Sequence, residues 1–209
     1  TYGILRGTAP VLKNSKEYWY IDHGYFGENF WRITRNNILH RGNSEYPSDR
    51  LHSFKFKFKK WKTSGKYVLI CPPSKLMSEF LELNNWLTNI ITRVRKYTDR
   101  EIVISRKQTP VKTNPQLFSP LEKKLKHVTI QEGLKNAWCL ITDHSNAMIE
   151  ALIEGVPIIC TNINRRIGDI QDIEYPVYNR DFLKGLAYNQ WNLKQIKSGQ
   201  AWRELNERE

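Results

Sequence analysis

The sequence predicts an α/β protein built on a parallel, Rossmann-type sheet, and three stretches carry that prediction. Residues 138 to 161, WCLITDHSNAMIEALIEGVPIICT, read as a buried strand, a polar turn, an amphipathic helix and a second buried strand, the unit from which parallel sheets are made. Residues 67 to 71, YVLIC, form another short apolar run, and a segment with helical spacing follows it. A third run, residues 101 to 105, has the composition of a further buried strand.

In chain order, residues 2 to 7 read as a short strand ending at Gly7, followed by a loop containing Pro10 and Asn14. A strand over 18 to 22 runs into Asp22, His23, Gly24, Tyr25, Phe26 and Gly27, a glycine-flanked loop with titratable groups at its base. Residues 30 to 50 are rich in arginine, aromatic and amide side chains. Arg32 and Arg35 there, with Tyr25, suit phosphates and stacked rings, a composition that plain surface loops share. From 51 to 61, Phe54, Phe56 and Phe58 alternate with Lys55, Lys57 and Lys59, which predicts a half-buried strand with a lysine face. That face is either simply solvated or a binding surface for a polyanion.

Thr63, Ser64 and Gly65 mark the expected boundary, giving an N-terminal region over 1–65, a Rossmann-like domain over 66–180 and C-terminal helices over 181–209. Beyond the strand at 67 to 71 come Ser74 and Lys75. A helix is expected over 78 to 97, capped by Ser78, with Phe80, Leu83, Leu87, Ile90, Ile91 and Val94 on one face. The strand at 101 to 105 ends in Arg106 and Lys107, and a proline-rich loop fills 109 to 120. Residues 127 to 130 read as a short strand and 134 to 137 as a helical turn. After Thr161, Arg165 and Arg166 are either phosphate ligands or merely exposed, and the tail reads as one or two amphipathic helices.

Chemistry concentrates in the turn of residues 143 to 146. A turn after a parallel strand lies at the carboxyl edge of the sheet, where open α/β folds bind ligands. The following helix is expected to offer unpaired N–H groups to a phosphate. Asp143, His144, Ser145 and Asn146 form that turn, and Glu150 stands just over one helical turn later, within reach of a ribose hydroxyl. The plainer reading is that Ser145 or Asn146 caps the helix and Glu150 is solvated. Ser74, Lys75, Arg106 and Lys107 lie in the turns after the other two strands and are candidate phosphate contacts. No Walker pattern is present.

The pattern of Ser145, Glu150, Ala151, Gly155 and Pro157 resembles the donor-binding segment of GT-B nucleotide-sugar transferases. It is similar in particular to CDP-glycerol glycerophosphotransferases and capsule sugar transferases. The resemblance implies a GT-B-like fold with a reduced acceptor part, a ribose contact at Glu150 and diphosphate contacts in the Ser145 turn. It spans roughly residues 66 to 161. Outside them His23 and Gly24 match a His-Gly element of the acceptor half, which makes His23, or its neighbour Asp22, the candidate general base. Where those enzymes often carry His-Pro, this chain has Gln108 and Thr109. Sugar-nucleotide epimerases use a similar segment.

The 209 residues carry a net charge of +12 and allow one large domain or two small ones. The charge favours a polyanionic partner, with DNA among the candidates, or else reflects a basic surface with no dedicated ligand. No apolar run approaches a membrane span, and Thr1 opens no signal-like stretch, so a soluble, cytoplasmic protein is expected, in a host cytoplasm if it is viral. Cys71, Cys139 and Cys160 fall in expected strands and read as reduced core residues.

The leading expectation is therefore a metal-independent transferase that moves a sugar from a nucleotide-diphosphate donor to a hydroxyl of a polyanion such as modified DNA. It needs no cofactor beyond that donor substrate. A non-catalytic nucleic-acid-binding α/β protein and an epimerase relative are the alternatives.

Overall fold

The computed structural model describes residues 1–4, 7–40, 45–106, 120–162 and 165–207. The chain forms two compact units, one built from Thr1–Phe56 with Arg180–Glu209 and the other from Lys57–Asn179.

The first unit begins with α1 (Thr8–Asn14). Pro10 sits in its first turn, where a missing N–H costs no intrahelical bond, so the proline that suggested a loop is compatible with a helix. The expected strand over 2 to 7 is reduced, among the described residues, to a single bridge between Tyr2 and Ile21. Two strands follow, β1 (Trp19–His23) and β2 (Phe30–Arg35), antiparallel with Asp22 opposite Arg32. A short helix, α2 (Asp49–Ser53), takes the first part of the expected Phe/Lys strand. No β-ladder forms over residues 51 to 61; Lys55 turns the chain at φ 51° and the segment continues without regular secondary structure. The alternation survives as burial, with Phe54, Phe56 and Phe58 half-buried and the intervening lysines exposed. Phe54 and Phe56 pack on Phe26, with ring centroids 5.3 and 5.1 Å away.

The second unit holds the parallel sheet. Its elements are β3 (Tyr67–Cys71), α3 (Lys75–Phe80), α4 (Trp86–Val94), β4 (Glu101–Ile104), β5 (Lys126–His127), α5 (Ile130–Asn136), β6 (Ala137–Thr142), α6 (Ala147–Ile153) and β7 (Ile158–Cys160). The five strands lie in the order β5-β4-β3-β6-β7, all parallel. Within the unit this is the 3-2-1-4-5 order of a doubly wound sheet, and the direction of winding reverses between β3 and β6. Val68, Ile70, Ile102, Ile104, Cys139, Ile141 and Ile159 form one face, covered by Trp86, Ile90, Ile91 and Val94 of α4 together with Ile170 and Ile173. α5 covers the other face, where Gly133 comes so close to Leu69 that a β-carbon would press on its methyl groups.

The helix expected over 78 to 97 is two helices. Glu82 adopts φ 57° between α3 and α4, and the Asn84–Asn85 pair beside it has poor helix propensity. Ser74, rather than Ser78, caps α3 by accepting the Met77 N–H at 3.3 Å. The α5 helix opens with a capping box between Thr129 and Glu132. The proline-rich segment of residues 109 to 120 and Lys107 lie, but for residue 120, outside the described residues.

Gly155 ends α6 at φ 76°, against the Lys60 carbonyl, which a β-carbon would overlap. Backbone bonds from Lys59 to Ile153 (2.9 Å) and from Lys62 to Gly155 (2.8 Å) hold that contact. Arg100 grips Glu174 through Nε and Nη2, donates from Nη1 to the Gly65 carbonyl at 2.7 Å, and stacks 4.3 Å from the Trp138 ring.

The chain then returns to the first unit as α7 (Phe182–Tyr188), β8 (Gln190–Asn192), α8 (Leu193–Lys197) and α9 (Gln200–Asn206). β8 pairs antiparallel with β2, so the three-stranded sheet has the order β1-β2-β8. A three-residue strand in a tail of helical spacing leaves no periodic signal in the sequence. Trp191 at its centre is fully buried, beside Ile33 and Ala201.

Candidate functional site

The winding reversal puts two turns side by side at the carboxyl edge of the second unit: residues 72 to 75 after β3, and residues 143 to 146 after β6. Thr142 joins them. Its hydroxyl donates to the Cys71 carbonyl at 2.8 Å and accepts the Ser145 N–H at 3.2 Å. The sequence marked Thr142 only as the end of an apolar run, and its bridging role has no pattern that could have shown it.

Asp143 and His144 are both buried. The Asp143 carboxylate accepts from His144 Nδ1 at 2.8 Å, from Asn162 Nδ2 at 2.9 Å and from Thr161 Oγ1 at 3.5 Å. Burial works to raise its pKa, but the hydrogen bonds from His144 and Asn162 outweigh it and hold the carboxyl below its ordinary value. With Nδ1–H donated to Asp143, the imidazole in its neutral form presents Nε2 as an acceptor. Among the described residues no group partners that Nε2. The backbone carbonyl of Asp143 accepts from Cys160 Sγ at 2.9 Å, tying the turn to the end of β7. Asn162 and Thr161 were not singled out in the sequence, since side chains that orient a buried carboxylate follow no spacing rule.

The helix after this turn offers less to an anion than expected. The N–H groups of Ala147, Met148 and Ile149 already bond to Ser145 Oγ, Ser145 O and Asn146 O. The seven residues of α6 also make a short dipole. Asn146 is the exposed N-cap residue and makes no side-chain cap bond.

Glu150 is exposed, and the protein around it still raises its pKa by desolvation. Its carboxylate lies near Cys71: burial first, and then the Glu150 charge, push that thiol up to about 12. Glu150 therefore lies within electrostatic reach of the end of β3, which leads into the turn that carries Ser74 and Lys75. Lys75 is exposed, with a loose 3.8 Å ion pair to Glu79, whereas the Ser74 hydroxyl is engaged in capping α3. Arg106 donates from Nε to the buried Glu122 carboxylate at 2.6 Å. Lys107 is outside the described residues.

In the first unit, Asp22 accepts from the Tyr20 hydroxyl at 2.7 Å, from Arg32 Nη2 at 2.6 Å and from the His23 N–H at 2.8 Å. Burial raises its pKa, but Arg32 and Tyr20 outweigh burial and lower it overall. His23 is exposed, its Nε2 lying 3.2 Å from the Tyr2 hydroxyl. Asp22 thus holds the His23 backbone while the imidazole stays open to solvent. Tyr25 and Arg32 are buried and face inward. The Tyr25 hydroxyl donates to His40 Nδ1 at 3.0 Å, because His40 Nε2 must donate to the Ile33 carbonyl. The Arg32 guanidinium sits 5.2 Å from the Tyr25 ring centre. Burial corrects the expectation that these two groups line a polyanion surface. Arg35 pairs with Glu17 and Lys59 with Glu154, leaving Lys55 and Lys57 as exposed lysines of the expected face. Gln190 shapes the loop: its Oε1 accepts the Tyr25 and Phe26 N–H groups at 2.6 and 2.9 Å, and its Nε2 donates to the Phe26 carbonyl at 3.0 Å.

Among the described residues no three His, Cys, Asp or Glu side chains gather to hold a metal ion, and no helix is long and apolar enough to cross a membrane. No protein-family model matches the chain, and no curated protein matches it in sequence. KpsC of Thermosulfurimonas dismutans, a beta Kdo 2,4 transferase, is similar over 95% of this chain and 85% of its own, with a TM-score of 0.56 at 11% identity. The fold of this chain is similar to that of KpsC. The mixed α/β class and the parallel sheet expected from the sequence are both present, the sheet with five strands.

Proposed function

We propose that this chain is a glycosyltransferase whose nucleotide donor binds at the carboxyl edge of the second unit, between the turn after β3 and the turn after β6. The observation that carries the reading is the adjacency of those turns at the winding reversal, with Glu150 on the helix that follows the second of them. The similarity in fold to KpsC supports it.

In this reading Glu150 accepts hydrogen bonds from the ribose hydroxyls, which is the work its ionised form does best. Lys75, the open cation at the edge, neutralises charge on the departing phosphate, and Arg106 contributes from its ion pair with Glu122. Asp143 orients His144, whose bare Nε2 can accept a proton or a donor hydroxyl. Asp22 steadies the His23 backbone, and His23 is the proposed base for the acceptor hydroxyl. The donor is a nucleotide sugar and the acceptor a polyanion such as DNA, a reading that the net charge of +12 supports.

Calorimetric titration with uridine, cytidine, guanosine and adenosine mono- and diphosphates tests it. One of them should bind, and Glu150→Ala should weaken that binding by about tenfold or more, the worth of one charge-assisted hydrogen bond. If none binds while DNA binds with a steep salt dependence, the nucleic-acid-binding alternative replaces this reading.

A further inference from the structure

A pocket of about 250 Å³ opens between α4 and the segment that follows β7, lined by Arg93, Thr161, Arg166, Gly168 and Asp169 together with Ile170. From its charges and geometry we infer that this pocket is a binding site for a small phosphate-bearing anion. The pocket adjoins the turn after β6, since Thr161 of its wall also donates to Asp143, and the inference rests on the arginines rather than on the donor site proposed above.

Three charged side chains line the pocket, two cations and one anion, for a net charge of +1. Both arginines point at one carboxylate. Arg166 pairs directly with Asp169 Oδ2, and Arg93 Nη2 lies 3.9 Å from Asp169 Oδ1, too far for a hydrogen bond. Among the described residues the Arg93 side chain makes no hydrogen bond, so its five N–H donors are available. The carboxylate is deep, with 16% of its side chain exposed, while Arg93 and Arg166 are 52% and 70% exposed. The two guanidinium groups therefore form the rim and Asp169 the floor. Cations that converge on one carboxylate are close enough to share a second small oxyanion at the rim, and planar guanidinium forks fit a phosphate face.

The walls add limits. The Thr161 hydroxyl is engaged, accepting from Trp86 Nε1 at 3.0 Å, and Ile159 and Ile170 are apolar, so recognition comes from the arginines. At roughly 30 Å³ per water the space holds about eight waters, enough for a phosphate with a small organic group attached. Asp169 opposes the ligand. It keeps the site weak, and its removal should strengthen binding.

The test is calorimetric titration of the whole chain with inorganic phosphate and with glycerol 3-phosphate at low ionic strength, where exposed charges act most strongly. Both probes should bind saturably at one site. Arg93→Gln and Arg166→Gln should each weaken binding by about fivefold, the factor one unit charge at about 4 Å contributes in water-like surroundings. Asp169→Asn keeps a capping side chain for the Gln171 N–H and should tighten binding by about the same factor. Absence of saturable binding by about 10 mM, or binding that neither arginine substitution weakens, would overturn the inference. A saturating nucleotide distinguishes the sources of the phosphate: undiminished phosphate binding assigns the pocket to a free phosphate ester, and displacement assigns it to a phosphate of the nucleotide. Both outcomes uphold the anion site.

Discussion

Gly155→Ala is the sharpest test of how the second unit is held together. The residue adopts φ 76°, and an L-residue there costs about 1–2 kcal/mol in backbone strain. The added methyl would also overlap the Lys60 carbonyl, which is backbone and has no rotamer to escape into. Relief means moving residues 59 to 62 and stretching the two bonds that hold them, Lys59 N–H to Ile153 at 2.9 Å and Lys62 N–H to Gly155 at 2.8 Å. Losing both adds about 1–3 kcal/mol, so the expected total is about 2–5 kcal/mol. Gly168→Ala is the control in the same unit. Its φ is 65° and the nearest atoms to an added β-carbon stand at 3.5 Å, so only the strain remains, about 1–2 kcal/mol. Hydrogen exchange of peptides covering β3 and β6 reads the stability of this unit alone. Equal losses for the two substitutions would refute the claim that the Lys60 contact matters.

Other outcomes follow from the same structure. Arg100→Lys removes the planar fork on Glu174 and the stacking on Trp138, and should cost about 1–2 kcal/mol, read as a lower denaturation midpoint. Asp143 and Asp22 both have lowered folded pKa values, so their contribution is complete above the ordinary carboxylate range and is lost as pH falls through the folded values. Asp143→Asn should therefore flatten the acid limb of a stability-versus-pH curve, and an unchanged limb would contradict the assignment. Burial pushes Cys71 and Cys139 up to about 12 and Cys160 up to about 11. All three should resist a thiol reagent at pH 8 in the native protein and react together once it is denatured.

The parallel sheet was legible because its strands are short, continuous apolar runs: residues 67 to 71 match β3 residue for residue, and β4, β6 and β7 differ only at their ends. The polar turn at 143 to 146 was legible for the same reason, since charged and amide residues stand out between two buried runs. The Phe/Lys alternation misled because period-two burial needs only an extended chain on a greasy surface; whether a neighbour supplies hydrogen bonds is not written in the spacing. Glu82 broke an otherwise apolar helical stripe by taking a left-handed conformation that its residue type does not advertise. Arg32 and Tyr25 counted as surface chemistry by composition, yet pairing with Asp22 and His40 took them inside. Tertiary partners decided those cases, and partners distant in sequence leave no local trace.

Gln190 ties the order of synthesis to the shape of the His23 loop. The parallel-sheet unit is one uninterrupted stretch and can fold as soon as residue 179 has left the ribosome. The smaller unit is stitched from both ends, and the loop at Tyr25 and Phe26 has no clamp until residue 190 arrives, some 165 positions later. Pulse-labelled nascent chains should thus show β1 and β2 unprotected long after the larger unit has closed, so that the loop beside His23 is set after the parallel sheet.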